Sequence, residues 1–558
     1  HKAIRRQRQM CIRDRFTMTT IEELGLLKMD FLGLRTLTVI QNAVRMAQKS
    51  SGKQINIDEI DYQDKGVLEL IGSGKTEGIF QLESAGMKNF MKELKPQSLE
   101  DIIAGISLYR PGPMDFIPAY IKGKNHPEEV TYDCPQLEPI LAPTYGCIVY
   151  QEQVMQIVRD LAGYTLGRSD LVRRAMSKKK GSVMEQERKN FVYGNEEEGV
   201  PGCIANGIDE KIANKIYDEM MDFAKYAFNK SHAAAYAVVA YQTAWLKYYY
   251  PVEFMASLMT SVMDNSTKVS EYTLTCRKMN IEILPPDINE GEGGFSVAGN
   301  AIRYGLSAIK GVGRPVIETI IAEREANGAF SNLEDFCSRL NGRELNKRTI
   351  ENFIKAGAMD ELEGTRKQKI MIYSAILDQI NDEKKHSIAG QMSLFDFADE
   401  ETKHDFEIQL PDVGEFPKET LLGFEKEVLG VYISGHPLEE YEEKWRKNIS
   451  ATTNDFIWDE ETGKTKVSDN EKVIVGGMIT DKTIKYTKNN KTMAFLTLED
   501  LLGTVEVIVF PRDYERYHTY LNVDEKIFVS GHANVEEDKN GKICLLYTSP
   551  SPRDGATS

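Results

Sequence analysis

The 558-residue sequence contains no apolar stretch long enough to cross a membrane. Its longest uncharged apolar stretch, residues 233–246, includes tyrosine, glutamine and threonine, whereas a membrane-spanning helix needs about 20 apolar residues. Cysteines are also few, with seven scattered along the chain and no Cys-x-x-Cys pair. This scarcity argues against a disulfide framework and against a cysteine zinc site. We therefore expect a cytoplasmic protein with reduced thiols and no membrane partner.

Proline is infrequent, with 19 residues, and 41% of the residues are hydrophobic, which excludes a collagen-like or disordered chain. At about 100–200 residues per domain, the length corresponds to about three to five domains. An overall basic charge, the usual mark of a nucleic-acid-binding protein, is missing because the formal net charge is −16. The charges are segregated, however, since residues 159–180 are basic and residues 396–419 are acidic. The net charge therefore does not decide whether the chain binds nucleic acid.

The two ends of the sequence differ from the rest. Residues 1–15 carry six lysines and arginines but lack the apolar segment of a signal peptide. Residues 547–558 form a turn-rich string with no periodic apolar positions. We interpret both segments as non-native, adapter-like sequence and expect the chain to be a fragment of a longer protein.

The spacing of apolar residues divides the chain into regions of different structure. Residues 96–275 show mostly the three- and four-residue spacing of helices. After Pro285 the pattern changes to short helices joined by glycine turns, and residues 383–420 have the composition of an extended acidic linker. Short alternating runs from Val473 onward predict a small β-barrel or sandwich. The chain is therefore expected to be multidomain α+β.

A glycine turn at residues 310–313 stands between an apolar segment and a predicted helix, which is the pattern of a helix-hairpin-helix element. The two glycines permit a tight turn whose N–H groups, with the N-terminus of the next helix, can bind a DNA phosphate. Such contacts hold a duplex without reading its sequence. A packing hairpin without a ligand is the alternative interpretation. A second, weaker copy of the pattern occurs at residues 354–358.

Two further segments have groups that bind phosphates. Arg174 and Lys178 fall on one face of a predicted helix, which suits a triphosphate or a nucleic-acid backbone but also an ordinary solvated surface. Lys230, Ser231 and His232 offer an ammonium, a hydroxyl and an imidazole beside a predicted helix start. Taken alone, Ser231 is more easily explained as the N-cap of that helix.

Two isolated features complete the candidates. Asp30 is a single carboxylate between apolar neighbours, and such a group is costly to bury unless it is paired or metal-bound. A two-metal site needs further carboxylates. In the acidic linker, Gln391, Leu394 and Phe395 form a short apolar plug that suits docking into a partner's pocket, or packing of the linker against its own domain.

Six motifs in order along the chain give a resemblance to the alpha subunits of bacterial DNA polymerase III, the C family of replicative polymerases. The match extends from about residue 16 to residue 544, nearly the whole chain. The motifs are LLKMDFLGLRTL at 26–37, GIFQLES at 78–84, YRPGPM at 109–114, FNKSHA at 228–233, YISGHP at 432–437 and MAFLTLED at 493–500.

The resemblance implies a DNA-directed DNA polymerase, a nucleotidyltransferase of chromosomal replication that adds dNTPs to a primer 3′-hydroxyl by two-metal phosphoryl transfer. It implies that Asp30 is a catalytic residue and metal ligand, which shares two Mg²⁺ ions with two aspartates upstream of this chain. The chain alone is therefore expected to be inactive. The alternatives are a non-catalytic DNA-binding scaffold of helix-hairpin-helix and OB modules, and an error-prone paralogue of the same family.

The resemblance also implies partners and site residues. The expected partners are primer–template DNA, dNTP, the sliding clamp and other replisome subunits, including the clamp loader. The implied nucleotide-binding residues are Arg110, Arg173, Arg174, Lys178, Lys230, Ser231 and His232. The implied DNA-binding residues are Lys310, Gly311, Val312, Gly313, Lys485, Lys488, Lys491 and Phe495. The implied clamp-binding residues are Gln391, Leu394 and Phe395.

The expected fold class is then multidomain α+β, with a mostly helical fingers region, a helix-hairpin-helix element and a C-terminal OB-type β-barrel. The expected domains are residues 1–15 as a non-native extension, 16–50 as the end of the palm domain, 51–279 as the fingers domain, 280–382 as the helix-hairpin-helix region, 383–420 as the acidic linker with the clamp-binding motif, 421–470 as a connecting segment, 471–546 as a truncated OB-fold domain, and 547–558 as a non-native tail.

Overall fold

The computed structural model describes residues 20, 24–26, 33–110, 112–177, 181–224, 228–340, 345–386, 409–456, 465–487, 490–534 and 544–550. Several predicted site residues lie outside these ranges. They are Asp30, Lys178, Gln391, Leu394, Phe395 and Lys488.

Helices dominate the chain from Arg35 to Lys278, in agreement with the apolar spacing. Most helix starts have a polar N-cap; for example, Asp64 and Ser98 accept hydrogen bonds from backbone N–H groups of the first turn. No helix among the described ranges is long and apolar enough to span a bilayer. The helices are α1 (Arg35–Ser51), α2 (Lys65–Gly72), α3 (Ala85–Leu94), α4 (Leu99–Leu108), α5 (Ile117–Asn125), α6 (Glu138–Leu141), α7 (Gln151–Ala162), α8 (Leu166–Ser177), α9 (Gly181–Tyr193), α10 (Glu210–Ala224), α11 (Lys230–Tyr249), α12 (Pro251–Ser261) and α13 (Ser266–Lys278).

Two separate hydrophobic cores hold these helices. The first includes buried residues of α2, α3, α4 and α11, and the second encloses residues of α6 to α10. Tyr150, just before α7, and Phe228, just before α11, form an isolated parallel bridge where the chain passes between the two cores. We call this bridge the crossing. It joins the two cores and, as shown below, lies at the candidate nucleotide site.

Helix α1 packs against α12, which follows it by about 200 residues in the sequence. The Ser257 hydroxyl donates to the Val39 carbonyl at 2.8 Å inside this contact. Val39, Ile40 and Ala43 give α1 a buried apolar face at the spacing of a helix. The contact joins the beginning of the described chain to a third and larger core, which continues to Val431.

After α13 the chain forms a small sheet and then short helices. Strand β1 (Ile283–Leu284) pairs in parallel with β3 (Ala301–Arg303), and β3 pairs antiparallel with β2 (Ser296–Ala298). The 3₁₀ turn Leu306–Ala308 follows the sheet. The helices after it are α14 (Arg314–Asn327), α15 (Leu333–Arg339), α16 (Lys347–Lys355), α17 (Arg366–His386) and α18 (Lys418–Leu429).

Helices flank the predicted acidic linker, since α17 continues to His386 and α18 begins at Lys418. Residues just before α18 pack along the start of α17, where Gln368 donates to the Pro411 carbonyl at 2.8 Å.

The C-terminal region is a closed five-stranded barrel. Strands pair in the order β4-β5-β6-β8-β7, β7 returns to β4, and every pair is antiparallel except β6 with β8. Alternate residues such as Val475, Leu496 and Val507 fill the interior. The elements are α19 (Glu442–Asn448), β4 (Lys472–Tyr486), β5 (Thr492–Glu499), β6 (Thr504–Val509), α20 (Pro511–Tyr517), β7 (Lys526–Asn534) and β8 (Cys544–Pro550).

The last strand of the barrel was not among the predicted strands. Residues Cys544–Pro550 form β8, which closes the barrel between β6 and β7. The physical reason is that β6 and β7 would otherwise leave unpaired backbone edges, and a short segment rich in leucine, tyrosine and threonine readily pairs with both. The periodic apolar signal is too short in this segment to indicate a strand from sequence.

Candidate nucleotide-binding and DNA-binding sites

Most of the predicted nucleotide-binding residues meet at the crossing. Arg110 lies in the turn after α4, and its guanidinium carbon stands 3.5 Å from the centroid of the Phe228 ring. The Phe228 carbonyl accepts the backbone N–H of Gln151, the first residue of α7, at 2.9 Å. Segments far apart in the sequence therefore share one neighbourhood. The predicted residues brought together here are Arg110, Arg173, Lys230, Ser231 and His232.

The charge of Arg110 is not neutralised within the described part of the chain. Its side chain is half-buried against the aromatic ring, and none of the described carboxylates forms an ion pair with it. Burial lowers the pKa of Arg110, but a guanidinium stays protonated at any physiological pH. Arg110 therefore offers a positioned cation to an anionic ligand.

Arg173 approaches the same place from α8. Its guanidinium donates to the Gln151 side-chain oxygen at 2.9 Å and to Asp170 at 2.8 Å. Gln151 thus connects Arg173 to the backbone at Phe228. Arg174 is the next residue on α8, and Lys178 lies outside the described residues.

The start of α11 is capped by Asn229 and not by Ser231. The Asn229 side-chain oxygen accepts the His232 backbone N–H at 2.9 Å, so the N-cap interpretation of Ser231 was wrong. Ser231 and His232 are exposed in the first turn, where the helix N-terminus carries a partial positive charge. Both side chains are therefore accessible to a ligand at this helix end.

The Lys230 charge, in contrast, has acidic neighbours. Its ammonium lies 3.1 Å from Glu100 and 5.2 Å from the centroid of the Tyr150 ring. Its backbone N–H donates to Glu152 at 3.0 Å. Burial raises the pKa of Tyr150, which keeps its hydroxyl neutral. An anion must compete with Glu100 for Lys230.

A row of aromatic rings fixes the His232 imidazole. Its ring centroid is 5.3 Å from that of Phe228 and 4.2 Å from that of Tyr236. Tyr236 in turn contacts Phe80 edge to face at 5.1 Å. Tyr236 follows His232 by four residues on a helix, a spacing that could have found it from sequence. No comparable signal points to Gln151, Glu100 or Glu152.

The described residues supply groups for phosphates but no carboxylate cluster for Mg²⁺. Within the described ranges one group of three can hold a metal ion, His126 with Glu128 and Glu129, and all three are exposed. None of these residues contacts the crossing residues named above. Asp30, to which the resemblance assigns Mg²⁺, lies outside the described residues.

The predicted DNA-binding turn is exposed on one side, and hydrogen bonds to the rest of the domain hold its other side. Gly311 has φ +76°, a left-handed conformation that favours glycine. The Asn352 side chain donates to the Lys310 carbonyl at 2.8 Å, and the Lys310 N–H donates to the Val428 carbonyl of α18 at 2.9 Å. The Lys310 N–H is thus used internally. The N–H groups of Gly311 and Gly313 donate to no described residue.

The second copy of the pattern does not form an exposed hairpin. Ile354, Ala356 and Ala358 are fully buried, and the Ala358 carbonyl accepts the backbone N–H of Ile288. Gly357 lies beneath the Arg366 guanidinium. This turn packs in the hydrophobic core, so its backbone is not accessible to a DNA phosphate.

On the barrel, two predicted DNA-binding residues contact each other. The Lys485 ammonium on β4 lies 4.3 Å from the centroid of the Phe495 ring on β5. Lys491, beside the β4–β5 turn, is exposed. The Lys485 ammonium therefore covers one face of the Phe495 ring.

Comparison with protein families matches three parts of the chain. Residues 36–199 match the bacterial DNA polymerase III alpha subunit finger domain. Residues 280–369 match a helix-hairpin-helix motif, and residues 473–546 match an OB-fold nucleic acid binding domain. Together with the helical region and the barrel, these matches confirm the predicted fold class.

Among solved structures, RecG bound to a three-way DNA junction is 15% identical, with a TM-score of 0.15. The matched region covers 41% of this chain and 32% of the RecG chain. A likeness of this size carries no argument about fold or function.

Curated relatives match nearly the whole chain. DNA polymerase III subunit alpha of Thermus aquaticus is 41% identical over 531 residues, which is 94% of this chain and 42% of the relative. The same subunit is 39% identical in Bacillus subtilis and 38% identical in Escherichia coli K12. Each match covers 94% of this chain and 45% of the relative. The chain thus spans about two fifths of the length of these relatives. Over that length, the chain is similar to the bacterial DNA polymerase III alpha subunits, as its motifs predicted.

Proposed function

We propose that this chain is part of a cytoplasmic DNA-directed DNA polymerase of chromosomal replication. The observation that carries the proposal is the convergence of Arg110, Arg173 and the first turn of α11 at the crossing. Cations and the N–H groups of a helix N-terminus are the groups that bind phosphates. The finger-domain match covers Arg110 and Arg173 and supports a nucleoside triphosphate as the ligand.

In this proposal each residue at the crossing has a defined part. Arg110, held flat by Phe228, neutralises phosphate oxygens, and Arg173 adds a second guanidinium from α8. The Ser231 hydroxyl and backbone N–H donate to the same triphosphate, at a helix end whose Lys230 and His232 N–H groups are already bonded to Glu152 and Asn229. Fixing the triphosphate in line with an attacking hydroxyl is most of what phosphoryl transfer requires of a protein. Mg²⁺, which the resemblance assigns to Asp30 and two further aspartates, would stabilise the developing charge.

The remaining modules fit a polymerase that holds primer–template DNA. The exposed N–H groups of Gly311 and Gly313, with the N-terminus of α14, suit the backbone phosphates of a duplex. The barrel offers Phe495 with Lys485 and Lys491 to single-stranded template. Neither contact reads sequence, which is what a replicative enzyme needs.

Replacing Arg174 with alanine separates the polymerase from a DNA-binding scaffold. A polymerase site is expected to lose about tenfold in dNTP affinity, because one charge-assisted hydrogen bond is removed, while duplex affinity stays unchanged. Equilibrium titrations of the 558-residue chain with dATP and with a labelled duplex measure both. Lys211→Ala, an exposed lysine on α10, is the control and should alter neither affinity. Loss of duplex binding alone would support the scaffold.

We propose the sliding clamp and the clamp loader as further partners. Gln391→Ala combined with Phe395→Ala is expected to abolish capture of the chain by an immobilised sliding clamp, because the apolar plug is removed. A pull-down at equal protein concentrations measures this. Thr402→Ala with His404→Ala, in the same acidic segment, is the matched control. Equal capture of both double variants would eliminate Gln391 and Phe395 as the clamp contact.

A further inference from the structure

The GIFQLES segment forms a turn that hydrogen bonds hold in one conformation. The Ile79 N–H donates to the Thr76 carbonyl at 3.0 Å and the Leu82 N–H to the Ile79 carbonyl at 3.1 Å. The Phe80 N–H donates to the Thr243 hydroxyl of α11 at 3.2 Å. The turn is thereby attached to the helix that carries His232 and Tyr236.

Gln81, at the centre of this turn, adopts a left-handed backbone conformation with φ +63°. This conformation is unfavourable for a glutamine and natural for glycine. The side chain is exposed and forms no hydrogen bond with any residue that the structure describes. A strained residue with no internal partner suggests that its side chain serves a ligand, because such strain concentrates at functional sites.

The surroundings of Gln81 show which ligand. A cavity of about 420 Å³ is lined by Gln81, Glu83, Ser84, Met87, Ile106, Tyr109 and Arg110. This volume is within the range of about 300–1,000 Å³ found for small-molecule sites. Arg110, one of the lining residues, is the arginine whose guanidinium stacks on Phe228. The cavity therefore adjoins the cation that we assign to phosphate.

The chemistry of the wall distinguishes the two parts of a nucleotide. Arg110 suits the phosphates, whereas a neutral carboxamide with both a donor and an acceptor suits a base edge. The acidic Glu83 beside it is already used, since it accepts the Gly78 N–H at 2.9 Å and the Tyr272 hydroxyl at 3.0 Å. We propose that Gln81 hydrogen-bonds the base of the nucleoside triphosphate whose phosphates Arg110 binds; this assignment rests on the proposed function.

Gln81→Gly is the decisive variant because it removes the carboxamide and the backbone strain together. The variant is expected to unfold at the same temperature as the unaltered chain or higher, so weaker binding cannot be ascribed to unfolding. Its affinity for dATP is expected to fall about three- to tenfold, the effect of one lost hydrogen bond. Its affinity for inorganic tripolyphosphate, which has no base, is expected to be unchanged. Calorimetric titration of the 558-residue chain measures both ligands.

Lys95→Gly is the matched control. Lys95 is also exposed and left-handed, with φ +45°, at the end of α3, and its loss is expected to leave dATP binding unchanged. Undiminished dATP binding by Gln81→Gly, or an equal loss of dATP and tripolyphosphate, would overturn the assignment of Gln81 alone. If the unaltered chain binds neither ligand, the proposed function fails and the assignment fails with it.

Discussion

Replacing Arg110 with alanine is expected to weaken binding of a nucleoside triphosphate by about 30- to 150-fold, or about 2–3 kcal/mol. The guanidinium is held over the Phe228 ring at 3.5 Å and no described carboxylate neutralises it. A cation already positioned needs little reordering when a phosphate arrives, so most of its interaction energy appears as affinity. This is the largest effect on binding that the structure predicts. Titration of the 558-residue chain with dATP measures it.

Two further variants show which property of Arg110 matters. Arg110→Lys keeps the charge but loses the planar fork and the stacking on Phe228, and is expected to recover only part of the affinity. Arg159→Ala removes an exposed arginine that is paired with Asp160, and should have no effect. Equal dATP affinity of Arg110→Ala and the unaltered chain would place the triphosphate elsewhere. Thermal unfolding of each variant checks that the fold is retained.

Replacing Arg366 with methionine is expected to destabilise the helix-hairpin-helix region by about 3–5 kcal/mol, the usual cost of leaving one partner of a buried ion pair alone. Arg366 donates to Asp360 at 2.6 Å and lies 3.5 Å from Glu425, whose carboxylate is fully buried. Glu425 also accepts the backbone N–H groups of Ile433 and Ser434. Without Arg366, a buried negative charge remains with no cation beside it.

The double variant Arg366→Met with Glu425→Gln is the control. Glutamine keeps an acceptor for the two backbone N–H groups and removes the charge, so the double variant is expected to be clearly more stable than Arg366→Met alone. Because a multidomain chain need not unfold in one step, amide hydrogen exchange at Ile433 and Ser434 is the best local measurement. Equally fast exchange in the single and double variants would show that the Glu425 charge is not the cause.

The local elements could be predicted from the sequence, whereas their neighbours in space could not. The helices from Arg35 to Lys278 and the first four barrel strands follow directly from apolar spacing, because each reflects burial of one face. Strand β8 was missed because its evidence lies in the open edges of β6 and β7, which are not local properties.

The candidate site shows the same division. Motif resemblance indicated Arg110 and His232, but the stacking of Arg110 on Phe228 joins residues more than 100 positions apart and has no local signal. The sequence also gives no sign that the Lys310 N–H donates to Val428, because this acceptor belongs to a helix beyond the acidic linker. Ser231 looked like a cap because serine and asparagine are nearly equivalent at that position, and only geometry selects Asn229.

The contact of α1 with α12 has a consequence for synthesis of the protein. The Val39 carbonyl and the Ser257 hydroxyl that bonds it are separated by 218 positions in the chain. At about 5–20 residues per second, a ribosome needs about 10–45 seconds to make the intervening polypeptide. During that interval the α12 residues that cover Val39, Ile40 and Ala43 in the folded chain have not yet been made. Until α12 emerges, the apolar face of α1 is a hydrophobic surface that can aggregate with other chains.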